Sequence, residues 1–315
     1  MVSEYRQKVL AKTEGSSYGV NPTLAVGTDA YLPISVTPSP SVLEYAERTL
    51  IRPHFGQFEQ LVTTMKGQMS IIGEYVGFGT AGPATPTPGF SALLKGCGLS
   101  QTISAGVSVT YAPQSSGQNS TAIQHEMDTG NVFTYLGGFG NMKVSMRNRA
   151  IPTFTFDYTS RLSARTTTPL GAVSLTSYQR PQAVSPDNTT TFTLQGFGSA
   201  CLNSFEFDMG NEIEYFDFVN CTKNVEIIDR RSSGSVQLEM PALSVKDWFT
   251  AVESGTVGTF SLVHGSAGKR ITFNGTNVML TNPRVTYDRK RAMLDLDMLW
   301  LPTATGNDEF NMVFA

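Results

Sequence analysis

Three groups of residues in this chain have types and spacing that could carry chemistry. Gly137-Gly138-Phe139-Gly140 resembles a phosphate-cradling loop, whose backbone N–H groups would converge on an anion at the head of a helix. The residues on either side, 132–136 and 142–146, alternate as strands, so no helix N-terminus follows and the run reads as a strand-to-strand turn. His54, His125 and His264 are far apart, without the spacing of a metal site, and no Gly-x-Ser-x-Gly elbow presents a nucleophile. Asp295 and Asp297 share one strand face, where a general acid and base could sit. Their alternation with Leu294, Leu296 and Met298 is equally that of a strand with a solvated acidic face. The three cysteines, at 97, 201 and 221, have no CxxC spacing and call for neither a disulfide nor a metal. No enzyme and no cofactor are expected.

The acidic alternation extends beyond that pair. Glu206 and Asp208 alternate with Phe205, Phe207 and Met209, and Glu212 and Glu214 with Ile213 and Tyr215. Like charges across a sheet repel, so such a face must look into water. A water-filled channel and an ordinary exterior both satisfy that requirement.

The elements that would position these residues form a repeating pattern. Phe90, Leu93, Leu94 and Cys97 fall at i, i+3, i+4 and i+7, the apolar face of a short helix with Gly96 and Gly98 as stop signals. Val245, Trp248, Phe249 and Val252 repeat the spacing behind a Ser244 N-cap with Asp247 three residues on, and that helix ends at Gly255. A strand, a turn and a strand precede each helix: 61–65, Lys66-Gly67 and 68–72 in the first half; 225–228, Ser232-Ser233-Gly234 and 235–240 in the second. Further strands follow each helix, closing with the alternating runs 154–158 and 294–298. The offset falls from about 165 residues at the hairpins to about 155 at the helices and about 140 at the last strands. The pattern is that of two tandem β-rich copies with one helix each and insertions in the first.

At 315 residues, 40% apolar and 16% charged, the chain can build two cores, and its net charge of −3 advertises no nucleic-acid-binding patch. Nineteen Phe, eleven Tyr and 29 Gly favour strands and turns, so the fold should be mainly β. The N-terminus has no signal-peptide core and no run of about 18 apolar residues occurs, so a soluble, cytoplasmically made chain without membrane contact is expected. Residues 1–40 read as an extended arm broken by Pro33, Pro38 and Pro40, with Tyr18, Leu24, Tyr31 and Leu32 as apolar anchors for a neighbouring subunit. The first copy spans 41–163, a Thr-, Ser- and Pro-rich linker 164–190, and the second copy 191–315, ending in a hairpin that turns at Asp288-Arg289-Lys290. A loop at 77–88, with Pro83, Pro86 and Pro88, should be exposed.

Several stretches, in order, carry a family resemblance. They are the arm 13–23 leading to Asp29-Ala30-Tyr31-Leu32, Arg52-Pro53-His54-Phe55-Gly56, the 88–100 motif running into Val109-Thr110-Tyr111-Ala112-Pro113, and 202–212 in the second copy. Through them the sequence resembles the tail tube proteins, also called major tail proteins, of long-tailed bacteriophages. The resemblance implies two tandem tube-like β-sandwich or barrel domains, each flanked by a helix, in a virion structural protein assembled in the bacterial host cytoplasm. It also implies rings stacked into a hollow tube that conducts double-stranded DNA without sequence-specific binding. Its implied partners are further copies of the chain, a tape measure protein, a tail terminator and distal tail or baseplate proteins. Family members with one tube domain form hexameric rings, so two copies per chain imply a trimeric, pseudo-hexameric ring; a hexamer follows if only one copy lines the channel. In that picture Glu206, Asp208, Asp295 and Asp297 face the lumen, where an acidic wall repels phosphates, while Tyr18, Leu24, Tyr31 and Leu32 reach the next ring. A tube component of a contractile or secretion injection machine shares the same features. A carbohydrate-binding host-adhesion β-sandwich would instead display exposed aromatics, and Trp248 and Trp300 offer little of that.

Overall fold

A computed structural model describes residues 6–15, 17–77, 88–167, 169–174 and 178–315. Its elements in chain order are β1 (Lys8–Thr13), β2 (Ala30–Tyr31), β3 (Ser35–Glu47), β4 (Gln60–Glu74), α1 (Pro88–Gly96), β5 (Leu99–Ser104), β6 (Ser108–Pro113), β7 (Thr121–Glu126), β8 (Val132–Arg147) and β9 (Thr153–Thr166). There follow β10 (Thr189–Leu194), β11 (Leu202–Asp208), β12 (Asn211–Phe216), β13 (Asn224–Arg230), β14 (Ser233–Glu239), α2 (Trp248–Glu253), β15 (Val257–His264), β16 (Ile271–Asp288), β17 (Arg291–Leu301) and β18 (Phe310–Phe314). The fold is mainly β, as the sequence leads one to expect.

Antiparallel pairings run without a break through β3-β4-β9-β8-β11-β14-β17-β16, which form one sheet. The same connections occur twice along it. β8 carries β9 on one edge and, on the other, first β7 and then β11, with β1 beyond β7. β16 carries β18 and then β17 on one edge and β15 on the other, with β10 beyond β15. A further stitch, β18 to β6, ties the end of the chain to its first half.

The hairpin β3–β4 also has a counterpart. In the second half it is bent in two: its inner part is the pair β11–β14, its outer part the separate ribbon β12–β13. Both hairpins carry the same irregularity. Glu44 pairs with Thr64 and Tyr45 with Val62, skipping Thr63; Glu212 pairs with Asp229 and Ile213 with Ile227, skipping Ile228.

Alternation builds the core. One face of the long sheet presents Ile71, Phe154, Phe156, Val144, Phe205, Phe207, Leu296 and Met298, all buried, against the helix and the flanking strands. Aromatic rings fill the space between. Phe207 lies 4.8 Å from Phe273 and 5.1 Å from Trp300, and Phe90 of α1 stacks on Tyr31 at 6.0 Å. Each such side chain buried contributes roughly 1.5–3 kcal/mol.

Several expectations are corrected. Lys66-Gly67 is no turn: β4 runs straight through it, because glycine leaves room for the Tyr135 ring that a Cβ would strike. Gly137-Gly138-Phe139-Gly140 is likewise inside continuous β8, with a register shift between Leu136 and Phe139; Tyr158 fills the space beside Gly140 and Tyr18 that beside Gly137. β13 and β14 do not pair with each other; each finds a different partner. The second helix starts at Asp247, not Ser244, since the Asp247 carboxylate accepts from Phe249 N (3.0 Å) and Thr250 N (3.1 Å). Val245 therefore lies outside it and exposed, while Trp248 is buried and Phe249 and Val252 are half-buried. Phe90, Leu93, Leu94 and Cys97 on α1 are buried. The terminal hairpin turns at Arg289-Lys290 as expected, both at positive φ. Residues 78–87 of the Pro-rich loop lie outside the described residues.

Candidate assembly site: a polar face and two open edges

The polar face of the long sheet gathers the alternating carboxylates. Across the β8–β11 junction, Glu206 is opposite Ser145 and Asp208 opposite Lys143. Lys143 Nζ lies 3.5 Å from both Asp208 Oδ2 and Asp157 Oδ2, and Asn141 Nδ2 donates to Asp208 Oδ1 at 2.7 Å. Burial alone would lower the Lys143 pKa; the two carboxylates outweigh it and raise it. At the far end of the sheet Arg284 Nη2 lies 2.9 Å from Asp297 Oδ1, and Asn282 Nδ2 donates to Asp297 Oδ2 at 3.0 Å. Asp295 is in register with Gln237 and Arg284, and Glu206 is exposed. The four acids thus share one face, interleaved with cations that the sequence reading missed: Lys143, Arg284 and, opposite Ser204, Arg147. A depression of about 410 Å³ lies there, lined by Lys143, Thr155, Glu206, Asp208 and Ser235 among others.

The sheet ends in two open edges. Among the described residues β3 pairs only with β4, and β16 beyond Thr281 pairs only with β17. Register relates this second edge to the interior. Asn141 faces Asp157 as Thr281 faces Asp297, and Lys143 faces Thr155 as Arg284 faces Asp295. A bulge at Asn282, whose φ is 49°, supplies the extra residue. Val285 and Tyr287 therefore hold the places of Val144 and Met146. Val144 and Met146 are sealed by Phe207 and Phe205 of β11, whereas Val285 is 45% and Tyr287 77% exposed.

A search among curated proteins found no match. A family model described as phage tail tube protein matches residues 5–305. The chain belongs to the phage tail tube protein family. It is accordingly a structural component of a phage tail, of a family whose members assemble with themselves into the tube.

In this tail tube protein the N-terminal anchors divide. Tyr31 is in the core, and Tyr18 donates to Gly137 O (3.1 Å) and accepts from Val225 N (2.6 Å), with burial pushing its pKa up to about 12. Leu24 is half-buried and Leu32 exposed. β1, within the expected arm, is a buried strand on β7. His125 and His264 are buried and apart, His54 is exposed, and no cluster of three or more His, Cys, Asp or Glu that could hold a metal occurs among the described residues. No helix among them is long and apolar enough to cross a membrane.

Proposed function

We propose that three copies of this tail tube protein close a ring by pairing the free edge of β16 in one copy with the free edge of β3 in the next. The observation that carries the reading is the β8–β11 junction, where two like sets of four strands are already joined head to tail inside one chain. Each chain contributes two such sets, so three chains make a pseudo-sixfold ring. Transferring the internal register outward sets Arg284 opposite Ser39, Thr286 opposite Thr37 and Asp288 opposite Ser35. Pro38 and Pro40 lie on β3 and supply no N–H, so the β16–β3 ladder has no donors from those two residues. Closure removes both exposed edges, which otherwise invite uncontrolled pairing.

In this arrangement the polar face carrying Glu206, Asp208, Asp295 and Asp297 lines the lumen through which double-stranded DNA passes during ejection, and a negative wall keeps phosphates from sticking. Stacked rings, with Leu24 and Leu32 available between them, form the tube in the virion tail, assembled in the bacterial cytoplasm around a tape measure protein and ended by terminator and distal tail proteins. Negative-stain microscopy and mass photometry of the concentrated protein test the reading. Rings with the mass of three 34.1-kDa chains are expected; rings of six, or a monomer at every concentration, overturn it.

A further inference from the structure

The two outer hairpins end in opposite situations. The ribbon β12–β13 lies back over the first half of its own chain. Asn211 Nδ2 donates to Cys97 O (2.7 Å) and Gly140 O (2.9 Å), Tyr215 OH donates to Met65 O (3.3 Å), Thr64 Oγ1 donates to Asp217, and Ile227 Cδ1 sits beside Gly98 just past α1. The inward side chains Val225 and Ile227 are buried and half-buried, and Phe139 of β8 beneath the ribbon's path is buried. The counterpart, the outer part of β3–β4 with the loop 48–59, meets that ribbon at Thr64 and Met65 and is largely exposed beyond them. Its Tyr45–Val62 pair occupies the register place of Ile213–Ile227, with the same skipped residue after it, yet Tyr45 is 49% and Val62 56% exposed. Leu50, Ile51 and Phe55 in the loop are also exposed.

The surface that would receive this hairpin is open at Leu299 and half-buried at Met279 and Gly255. The place of the Phe139–Thr159 pair on β8 and β9 is held on β16 and β17 by Met279–Leu299, and Leu299 is 42% exposed. The place of Gly98 after α1 is held by Gly255 after α2; both have positive φ, 77° and 62°, and only the Met279 methyl lies near Gly255.

We infer that the outer hairpin, residues 45–62, docks on the second half of the adjacent copy in the same ring, laying Tyr45 and Val62 over Met279, Leu299 and Gly255 as Ile227 lies by Gly98 within one chain. The inference rests on the ring reading above, because only closure through β16 and β3 brings the hairpin over that surface. Its occupant is a second copy, since the apolar pair and its receiving site repeat a contact the chain already makes with itself. The hairpin then acts as a clasp spanning each β16–β3 junction, adding apolar burial to that of Val285 and Tyr287 and to the main-chain hydrogen bonds.

Cysteine cross-linking in a Cys201→Ser, Cys221→Ser background tests it; both native thiols are exposed, whereas Cys97 is buried. Val62→Cys and Thr256→Cys are combined in one chain and treated with a short bismaleimide as isolated rings. Covalent dimers and trimers on a denaturing gel are expected, and only monomer from protein diluted below the assembly threshold. Rings of three that stay uncross-linked, although both thiols react with a monofunctional maleimide, overturn the clasp and leave the ring reading standing. Cross-links formed in stacked tubes but not in isolated rings also overturn it, by assigning the hairpin to the next ring. No ring at any concentration overturns both. As a check independent of cysteine placement, Tyr45→Asp with Val62→Asp should raise the concentration for half-assembly at least tenfold without moving the monomer's melting temperature; unchanged assembly overturns the clasp.

Discussion

Val144 and Phe207 face each other across the β8–β11 junction and are both sealed from water, whereas Val285, in the register place of Val144, is nearly half exposed. The same side-chain type thus reports whether a second four-strand set lies beside it. Val285→Asp should leave monomer stability within about 0.5 kcal/mol, as for other surface changes, and abolish ring formation. Val144→Asp would strand a charge in the core and cost roughly 3–5 kcal/mol. Thermal melts and mass photometry on both variants separate folding from assembly, and Val285→Asp rings of normal mass would refute the edge assignment.

Tyr31 ties the N-terminal segment to the core in a way that a glycine permits. Its hydroxyl occupies the place a Cβ on Gly73 would take. Gly73→Ala should therefore push the ring away from Phe90 and Phe156 and destabilise the fold by about 1–3 kcal/mol. Denaturant unfolding measures it; an unchanged midpoint would mean that Tyr31 is not packed on β4.

Acid sensitivity should trace to His125. Its Nε2 lies 2.6 Å from Gln7 Oε1 and so carries the proton, while Nδ1 is buried with no hydrogen-bond partner. Burial lowers its pKa to about 4, whereas an unfolded imidazole titrates near 6.5. Between these values the unfolded chain holds more protons, so the stabilisation is complete above about pH 6.5 and is lost as pH falls towards 4. The gap corresponds to roughly 3 kcal/mol. Unfolding free energies at pH 7 and pH 4.5 should differ less in His125→Asn than in the parent chain; an equal difference would assign the acid response elsewhere.

How legible this was in sequence depended on range. Helix α1 was readable because Phe90, Leu93, Leu94 and Cys97 all point at one core, and the terminal hairpin because Arg289 and Lys290 interrupt two clear alternations. Glycine misled where it makes room instead of turning the chain: Gly67, Gly137 and Gly140 sit in unbroken strands beside tyrosine rings. The β18 strand, with buried Phe310, Met312 and Phe314, alternates plainly but was missed behind the Gly306-Asn307 turn. The carboxylate face was visible as alternation. Its cations were not, because Lys143 and Arg284 meet Asp208 and Asp297 only through pairings set by distant strands.

Glu206 gives the cleanest test of the polar face, being exposed and outside the Lys143 ion pairs. Asp208→Lys would set two cations together at the β8–β11 junction and confuse lining with folding; Glu206→Lys changes charge alone. Assembled tubes of the parent protein should not retain double-stranded DNA even at low salt, because the acidic face repels phosphates. Tubes of Glu206→Lys should assemble normally, slow DNA ejection, and bind DNA with an affinity that falls steeply as salt rises. Co-sedimentation of tubes with short duplexes across a salt series reads this directly. Normal ejection with no salt-dependent retention would place these carboxylates on the outside of the tube, and the channel wall would then have to be sought on the opposite side of the ring.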